Sequence, residues 1–285
     1  MAREVDTRKR HKRGTRQWAL GHFWTTVTWI VAFVLFFPVL WMVLTAFKTE
    51  TAAYTDPPRI IFHPTLSEFS QVFSGGIGPP FEHSLFVTLT STVVVLILAI
   101  PAAYSLSIRP VKRWSDVLFF FLSTKMLPYV AAIVPIYIVA RNLGILDNDW
   151  SLVILYTAMN LPIAVWMIRS FLLEVPKEVL EAARIDGASL WTEIVRVILP
   201  IVVPGIAATA LICVIFAWNE FFFAVNLTAT RAGTMPVFLV GFIQSEGLYW
   251  ARLAAASSIA SLPVILAGWI AQKQLVRGLS LGALK

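Results

Sequence analysis

The chain has 285 residues, 58% of them hydrophobic and only 14% charged, and its formal net charge is +7. Soluble domains average about 45–50% apolar and about 25% charged residues, so this composition excludes an ordinary soluble protein. The single cysteine, Cys213, excludes an intrachain disulfide. Neither a dinucleotide-binding fingerprint nor the Cys/His spacing of a zinc site occurs.

Six apolar segments are long enough to cross a bilayer as helices, which takes about 20 residues each. In chain order they are residues 23–47, 85–108, 117–140, 150–168, 198–225 and 254–270. The strands of a membrane barrel would alternate polar and apolar residues over about ten positions, and these segments do not alternate. The sequence therefore predicts an all-α integral membrane protein with six transmembrane helices.

A basic segment, residues 1–22, precedes the first predicted span. A secretory signal peptide has a shorter apolar run followed by a small-residue cleavage site. Residues 23–47 show neither feature, so we expect a retained span. Basic residues can also bind nucleic acid, but beside a membrane span they typically set orientation. We therefore expect the lipid bilayer, and no nucleic acid, as the partner of this segment.

Lys and Arg are distributed unevenly between the spans. Residues 1–22, 109–116, 169–197 and 271–285 contain 17 of them, whereas residues 48–84, 141–149 and 219–253 contain 5. Cytoplasmic segments of membrane proteins are enriched in Lys and Arg. The N- and C-termini and the segment 169–197 are therefore predicted to lie inside.

The polar stretch after the fourth span contains the pattern E-A-A-x3-G-x9-V-x-L-P, which starts at Glu181. Pro176 suits the first turn of a helix, so we expect a short helix over residues 177–185. Glycine readily adopts the left-handed conformation that ends helices, and Asp186-Gly187 is expected to stop this helix. Glu181 and Arg184 are three residues apart and are expected to share one face.

Ser189 is expected to cap a second helix that continues to Leu199-Pro200. The two helices would form a bent pair in which Ala182 and Ala183 permit the close approach of a partner. The alternative is an amphipathic helix lying on the membrane surface. Acidic residues such as Glu178 and Glu193 would be repelled by an anionic leaflet, which favours docking on a protein.

This pattern resembles the docking signature of the membrane subunits of binding-protein-dependent ABC importers, with Val197 where that family usually has isoleucine. The resemblance covers roughly residues 20–285. The stretches IRSFLLEVPKEVLEAARIDGAS and LPIVVPGIAATALICVIFAWNEFFFAV are similar to the carbohydrate-uptake branch, in particular to the smaller membrane subunit of maltose-type and polyol-type systems. The resemblance implies a permease subunit that moves a sugar, oligosaccharide or polyol by alternating access. An importer of another small solute such as a peptide, and a scaffold that recruits an ATPase without transport, stay open.

The resemblance also implies where partners bind. A cytoplasmic coupling helix within the segment 176–197 is expected to dock on a nucleotide-binding subunit through Glu181, Ala182, Ala183, Asp186, Gly187, Ala188 and Leu190. The C-terminal tail, residues 271–285, is expected to reach the ATPase through Gly278, Leu279 and Gly282. The dipeptide Gly-Lys does not occur, so the chain has no phosphate-clamping Walker loop.

The implied partners are two nucleotide-binding ATPase subunits, a second membrane permease subunit and an extracytoplasmic solute-binding protein. We expect no cofactor or metal on this chain and no enzymatic activity, because ATP and Mg would be bound by the partner ATPases. The loops 48–84 and 226–253 are candidates for contact with the solute-binding protein. The implied location is a bacterial or archaeal cytoplasmic membrane.

Polar residues within spans are candidates for a solute path. Trp218, Asn219 and Glu220 fall inside the fifth predicted span and combine an aromatic face with amide and carboxylate groups, which suits sugars. The alternative is that they hold this span to a neighbouring helix. Lys125, in the third span, either snorkels to the interface or lines the path.

Two prolines are expected to bend spans: Pro128, after Met126-Leu127, and Pro162, after Asn160-Leu161. Backbone groups that lose their partners at membrane depth are tolerated where they face protein or a watery cavity. Asn160 is therefore a further candidate for the path, although such prolines also serve packing alone.

Overall fold

The computed structural model describes residues 2–126, 128–244 and 247–282, with side chains over 21–126, 128–243 and 249–273. The elements in chain order are α1 (Ala2–Ala46), α2 (Glu50–Ala53), α3 (Ser67–Ser74), α4 (Gly78–Ser105), α5 (Trp114–Met126), α6 (Tyr129–Asn142), α7 (Asp149–Leu172), α8 (Lys177–Ile185), α9 (Leu190–Thr192), a π-helical segment (Glu193–Ile198), α10 (Leu199–Trp218), α11 (Phe222–Leu227), α12 (Met235–Val240), β1 (Ile243–Gln244), β2 (Gly247–Leu248) and α13 (Trp250–Gly282). The two short strands pair antiparallel.

Five helices in the described chain are long and apolar enough to cross a membrane, and the bent pair of α5 and α6 makes six if it counts as one span. The predicted all-α class with six spans is therefore confirmed. The chain divides into two compact units, residues 1–70 with 249–258 and residues 71–248 with 259–285.

In the first unit, carboxylates and a buried lysine organise the segment that follows α1. The Glu50 carboxylate accepts hydrogen bonds from the backbone N–H groups of Ala251 and Arg252, which satisfies free donors at the beginning of α13. Glu68 is buried and accepts from Arg252 Nε at 3.3 Å. The Lys48 ammonium lies 4.2 Å from the centroid of the Trp41 ring, and burial lowers the pKa of this lysine.

The second unit has a core of three long helices, α4, α7 and α10. Buried alanines such as Ala99, Ala103 and Ala164 let these helices approach closely, as small residues do between membrane helices. At Gly205 on α10, an added Cβ would overlap the ring of Phe171 on α7, so only glycine fits there.

The three core helices define two ends of this unit. At one end, Arg169 Nε near the end of α7 donates to the Leu106 carbonyl just after α4, at 3.0 Å. At the other end, His83 Nδ1 near the start of α4 lies 2.9 Å from Asp149 Oδ2 at the start of α7. We call the first the motif end, because residues 173–198 follow α7 there, and the second the opposite end.

The structure changes the boundaries of two predicted spans and confirms the bend expected in a third. Helix α4 begins at Gly78 rather than at residue 85, because two prolines fit its first turn. The third segment, predicted over 117–140 with a bend at Pro128, is two helices at an angle of 91°. Pro128 has an extended backbone there and begins α6, since proline cannot continue the preceding helix.

The fifth span, predicted over 198–225, also differs. Its helix ends at Trp218, and a separate short helix begins at Phe222. The reason is local: the Glu220 carboxylate accepts from the backbone N–H groups of Phe223 and Ala224 and so caps the new helix.

Candidate functional site

The first helix of the docking pattern forms as predicted. Helix α8 spans Lys177–Ile185, with Pro176 before it and Asp186 after it. Gly187 has φ +78°, the left-handed conformation expected of it. Its N–H donates to the Arg184 carbonyl, and the N–H of Ala188 donates to the Ala183 carbonyl. This is the Schellman arrangement that closes helix ends.

Most of the predicted docking residues form one exposed surface. Glu181, Ala182, Asp186, Gly187 and Leu190 are exposed, and Ala183 and Ala188 are half-buried. Sequence reasoning missed two large apolar side chains on the same segment, Ile185 and Trp191, which are 86% and 75% exposed. Leu180 faces the core and is buried, so α8 is anchored on one side and free to bind on the other.

The second helix of the pattern differs from the prediction. Ser189 caps it as expected, since its Oγ accepts from the Thr192 N–H at 3.3 Å. After α9, however, the chain forms a π-helix over Glu193–Ile198 and then continues without a break into α10. Pro200 does not end the helix, because it falls in the first turn of α10, where its missing N–H costs little. π-Helical turns are rare and frequently mark functional sites.

Glu193, the first residue of the π-helix, is fully buried and has four hydrogen bonds to its carboxylate. Tyr104 Oη donates to Oε1 at 2.9 Å and Arg109 Nη2 to Oε2 at 3.0 Å. Arg184 donates twice, from Nε to Oε2 at 3.2 Å and from Nη2 to Oε1 at 2.9 Å. We call Glu193, Tyr104, Arg109 and Arg184 the Glu193 hub.

The hub gives Arg184 a role that the sequence does not indicate, since its guanidinium binds Glu193 in the structure. The hydrogen bond to Glu193 raises the pKa of Arg184 above its ordinary value, so the guanidinium keeps its charge. In the sequence, the only sign of this contact is a glutamate within an apolar stretch and an arginine nine positions before it.

The three adjoining candidates for the solute path have structural partners. Trp218 is buried, and its Nε1 donates to the Ala260 carbonyl at 3.0 Å. Asn219 Nδ2 donates to the Ile215 carbonyl, and the Glu220 carboxylate caps α11. These contacts account for the three polar groups in this conformation, and their role in a path stays a prediction.

Two further path candidates lie on α7 and α5. Asn160 is fully buried on α7, where its Nδ2 lies 3.4 Å from the Cys213 carbonyl and its Oδ1 has no hydrogen-bond partner among the described residues. Lys125 is half-buried, with its Nζ 5.6 Å from the centroid of the Phe216 ring. The structure therefore leaves these two side chains apart from the Trp218 group of contacts.

Two predictions fall on residues of which little is described. The tail residues Gly278, Leu279 and Gly282 belong to the helical backbone of α13 but lie outside the residues whose side chains are described. Leu127, beside the bend at Pro128, lies outside the described residues altogether.

At the opposite end, one carboxylate, that of Asp147, is bound by several backbone groups. Its carboxylate accepts from the backbone N–H groups of four successive residues, 229–232, at 2.8–3.1 Å. Burial alone would raise the pKa of Asp147, but these four hydrogen bonds outweigh it and lower the pKa below its ordinary value. Among the described residues, no group of three or more His, Cys, Asp and Glu side chains is placed to hold a metal ion.

Residues 95–280 match the family described as binding-protein-dependent transport system inner membrane component. The chain belongs to this family. The match runs from within α4 to the last turns of α13 and includes α8 and the Glu193 hub. A member of this family is a multi-pass transport subunit and not itself an enzyme.

Curated relatives resemble the chain over almost its full length. It is 39% identical to a probable ABC transporter permease protein, y4oR of Sinorhizobium fredii, over 92% of this chain and 95% of that protein. It is 32% identical to the diacetylchitobiose uptake system permease DasC of Streptomyces coelicolor, covering 93% and 98%. Identity to the trehalose/maltose permease MalG of Thermococcus litoralis is 31%, covering 90% and 94%.

A solved structure shares the fold of this family member. A chain of a bacterial ABC transporter involved in the import of the acidic polysaccharide alginate superimposes with a TM-score of 0.72 at 23% identity, covering 90% of this chain and 96% of that one. At this identity the likeness concerns the fold alone.

Proposed function

We propose that this chain is a permease subunit of an ATP-driven importer that moves a carbohydrate (a sugar, oligosaccharide or polyol) by alternating access. The observation that carries the proposal is α8, an exposed short helix closed by Gly187 and followed, after a short turn, by a continuous helix that runs from Leu190 into a candidate membrane span. The relatives named for diacetylchitobiose and for trehalose and maltose favour carbohydrate as the solute class.

The proposed assembly contains two nucleotide-binding ATPase subunits, a second permease subunit and an extracytoplasmic solute-binding protein. ATP and Mg are bound by the ATPase subunits. The motif end faces the cytoplasm of a bacterium or archaeon, as the concentration of Lys and Arg in residues 109–116 and 169–197 favours. The loops 48–84 and 226–253 then lie outside, where the solute-binding protein docks.

The surface of α8 has the features of a docking knob. Ala182, on the face opposite the buried Leu180, lets a partner approach the helix backbone closely. Ile185 and Trp191 supply the apolar contacts that dominate binding energy at interfaces. Glu181 and Asp186 add negative charges that select a basic groove on the ATPase.

The break between α10 and α11 is the candidate part of the solute path. Trp218, Asn219 and Glu220 lie together where α10 ends and α11 begins. Asn160 and Lys125 remain candidates on α7 and α5. We place these five side chains on the path that opens during alternating access.

Co-purification from detergent tests the docking role. Tagged wild-type chain is expected to retain an ATPase and a second permease encoded with it. Glu181→Ala and Gly187→Asp are expected to reduce the bound ATPase about tenfold or more, as loss of a central interface contact does. Aspartate tolerates the left-handed conformation, so Gly187→Asp adds bulk and charge without forbidding the turn.

Glu174→Ala is the matched control, because it removes one exposed carboxylate from the same segment outside α8. It should retain the ATPase as wild type does. Equal ATPase binding by all variants would move the interface away from α8, and absence of any ATPase from the wild-type preparation would refute the importer assignment.

Reconstitution tests the solute class. The complex is placed in vesicles with its solute-binding protein, and ATP hydrolysis is measured with a panel of sugars, oligosaccharides, polyols and short peptides. Stimulation by a carbohydrate, with uptake of that compound, is the expected result. Stimulation by peptides alone would replace the solute class, and ATPase binding without any solute-dependent hydrolysis would identify a scaffold.

A further inference from the structure

The Glu193 hub joins three parts of the second unit that are separate in sequence. Arg184 belongs to α8, Glu193 opens the π-helix that leads into α10, and Tyr104 lies in the last turn of α4. Arg109 comes from the segment that follows α4. The surface proposed to dock an ATPase is therefore connected through one carboxylate to two of the three core helices.

The Glu193 carboxylate is held by protein donors alone, whereas two of its donors, Arg109 and Arg184, can also bind water. The Glu193 side chain has no exposed surface, so its charge depends on protein donors. The side chains of Arg109 and Arg184 are 45% and 39% exposed, so each guanidinium can exchange a bond to Glu193 for bonds to water. The buried carboxylate cannot make that exchange, and it must move together with whichever donors remain.

Apolar packing alone would not transmit a movement of α8 in a defined direction. Leu180 of α8 packs into the same core as Ala103 and Ile198, which holds the three elements close. Such contacts tolerate sliding, whereas hydrogen bonds to a carboxylate fix both distance and angle. A displacement of Arg184 that keeps its two bonds to Glu193 is therefore passed to the carboxylate and on to Tyr104.

We propose that Glu193 is a positioning residue for energy coupling, which transmits movement of α8 to α4 and α10 through Arg184, Tyr104 and Arg109. The inference rests on the proposed docking of an ATPase on α8. Its consequence is that the α8 side and the α4 side of the hub have different roles. Loss of the α4 side leaves docking intact and uncouples ATP hydrolysis from transport.

Tyr104→Phe and Arg109→Gln test this inference, because they remove donors from the α4 side and keep both bonds between Arg184 and Glu193. Each variant is reconstituted with the ATPases and the solute-binding protein, and solute taken up per ATP hydrolysed is measured. We expect normal co-purification of the ATPase and a loss of transported solute per ATP of about fivefold or more, the lower range of coupling effects.

Matched controls separate the hub from general effects of the substitutions. Tyr137→Phe removes a hydroxyl from α6, and Lys112→Gln removes an exposed charge from the segment that contains Arg109. Both are expected to transport as much solute per ATP hydrolysed as wild type. Glu193→Gln keeps one acceptor oxygen and the volume of the side chain, so it is expected to transport more solute per ATP than Glu193→Ala but less than wild type. A requirement for bulk alone would let Glu193→Gln reach the wild-type value.

The outcomes distinguish this inference from the proposed function. If the wild-type chain binds no ATPase, the proposed function fails and the hub has nothing to transmit. If the ATPase binds but Tyr104→Phe and Arg109→Gln transport as much solute per ATP as their controls, the coupling role is refuted while the importer assignment stands. Should Tyr104→Phe not fold, Arg109→Gln decides the question, because that side chain is half-exposed.

Discussion

The two ends of the second unit each contain a carboxylate that holds several parts of the chain, but the two carboxylates have partners of different kinds. At the motif end, Glu193 is bound by the side chains of Tyr104, Arg109 and Arg184. At the opposite end, Asp147 is bound by the backbone N–H groups of residues 229–232.

This difference determines what each end can do. Four successive backbone N–H groups of one turn bind Asp147, and none of them can change partner independently of the others, so the opposite end is a clamp. The guanidinium groups at the motif end come from separate segments and have access to water. Each can change partner while its helix stays intact. The motif end is therefore the part of the core that can move with a docked partner.

Among the variants that test this difference between the two ends, replacement of Glu193 is expected to have the largest effect on stability. Glu193→Ala removes four hydrogen bonds to a charged group, each worth about 1.5–3 kcal/mol, and leaves the buried Tyr104 hydroxyl without its acceptor, whereas the half-exposed guanidinium groups can turn to water. We expect a clear drop in the thermal midpoint of the purified chain, measured by size exclusion after heating. Glu193→Gln keeps an acceptor and should fall between Glu193→Ala and wild type.

Equal midpoints for Glu193→Ala and wild type would contradict the buried hub. The motif end would then be held by apolar packing alone, and the contrast between the two ends would disappear.

Close helix packing near the motif end provides the next test. Gly205→Ala places a Cβ into the ring of Phe171, and overpacking of this kind costs about 1–3 kcal/mol. We expect a lower thermal midpoint that Phe171→Ala partly restores in the double variant. Gly268→Ala is the control, because an added Cβ on that residue of α13 would meet no atom of the described residues within 4 Å beyond its own stretch of helix.

Unchanged stability in Gly205→Ala would mean that α7 and α10 separate easily at this point. Mobility at the motif end would then extend beyond the hub to the core helices themselves.

Local chemistry explains which features could be predicted from sequence. The spans follow from apolar length, and the limits of α8 follow from Pro176 and Gly187, whose backbone preferences act within a few residues. The same applies to the cap at Ser189. Such features depend on neighbours in the chain, so a single sequence contains the information.

The rest depends on contacts between distant positions. Tyr104 and Arg109 meet Glu193 across 89 and 84 residues, and no sequence spacing indicates that meeting. The sequence pattern places Glu220 within the fifth predicted span. Its use as a helix cap could not be predicted, because it depends on where α10 ends. The π-helix has no sequence signature of its own.

Asp147 provides the smallest expected effect and the sharpest test of the contrast. Asp147→Asn replaces one acceptor oxygen by an NH2 group that faces backbone donors, so some of the four hydrogen bonds are lost. We expect a destabilisation of about 1–3 kcal/mol, with normal co-purification of the ATPase, because the loss lies at the end opposite α8.

The pH dependence of the thermal midpoint tests whether the Asp147 carboxylate is the group responsible for this stability. The pKa of Asp147 is below its ordinary value of 3.8, so its carboxylate contributes stability above that value and loses the contribution as pH falls through the lowered pKa. The difference in thermal midpoint between wild type and Asp147→Asn should stay constant from about pH 5 to 8 and shrink below the ordinary pKa. A difference that grew in acid, or reduced co-purification of the ATPase with Asp147→Asn, would show that the opposite end is not a passive clamp.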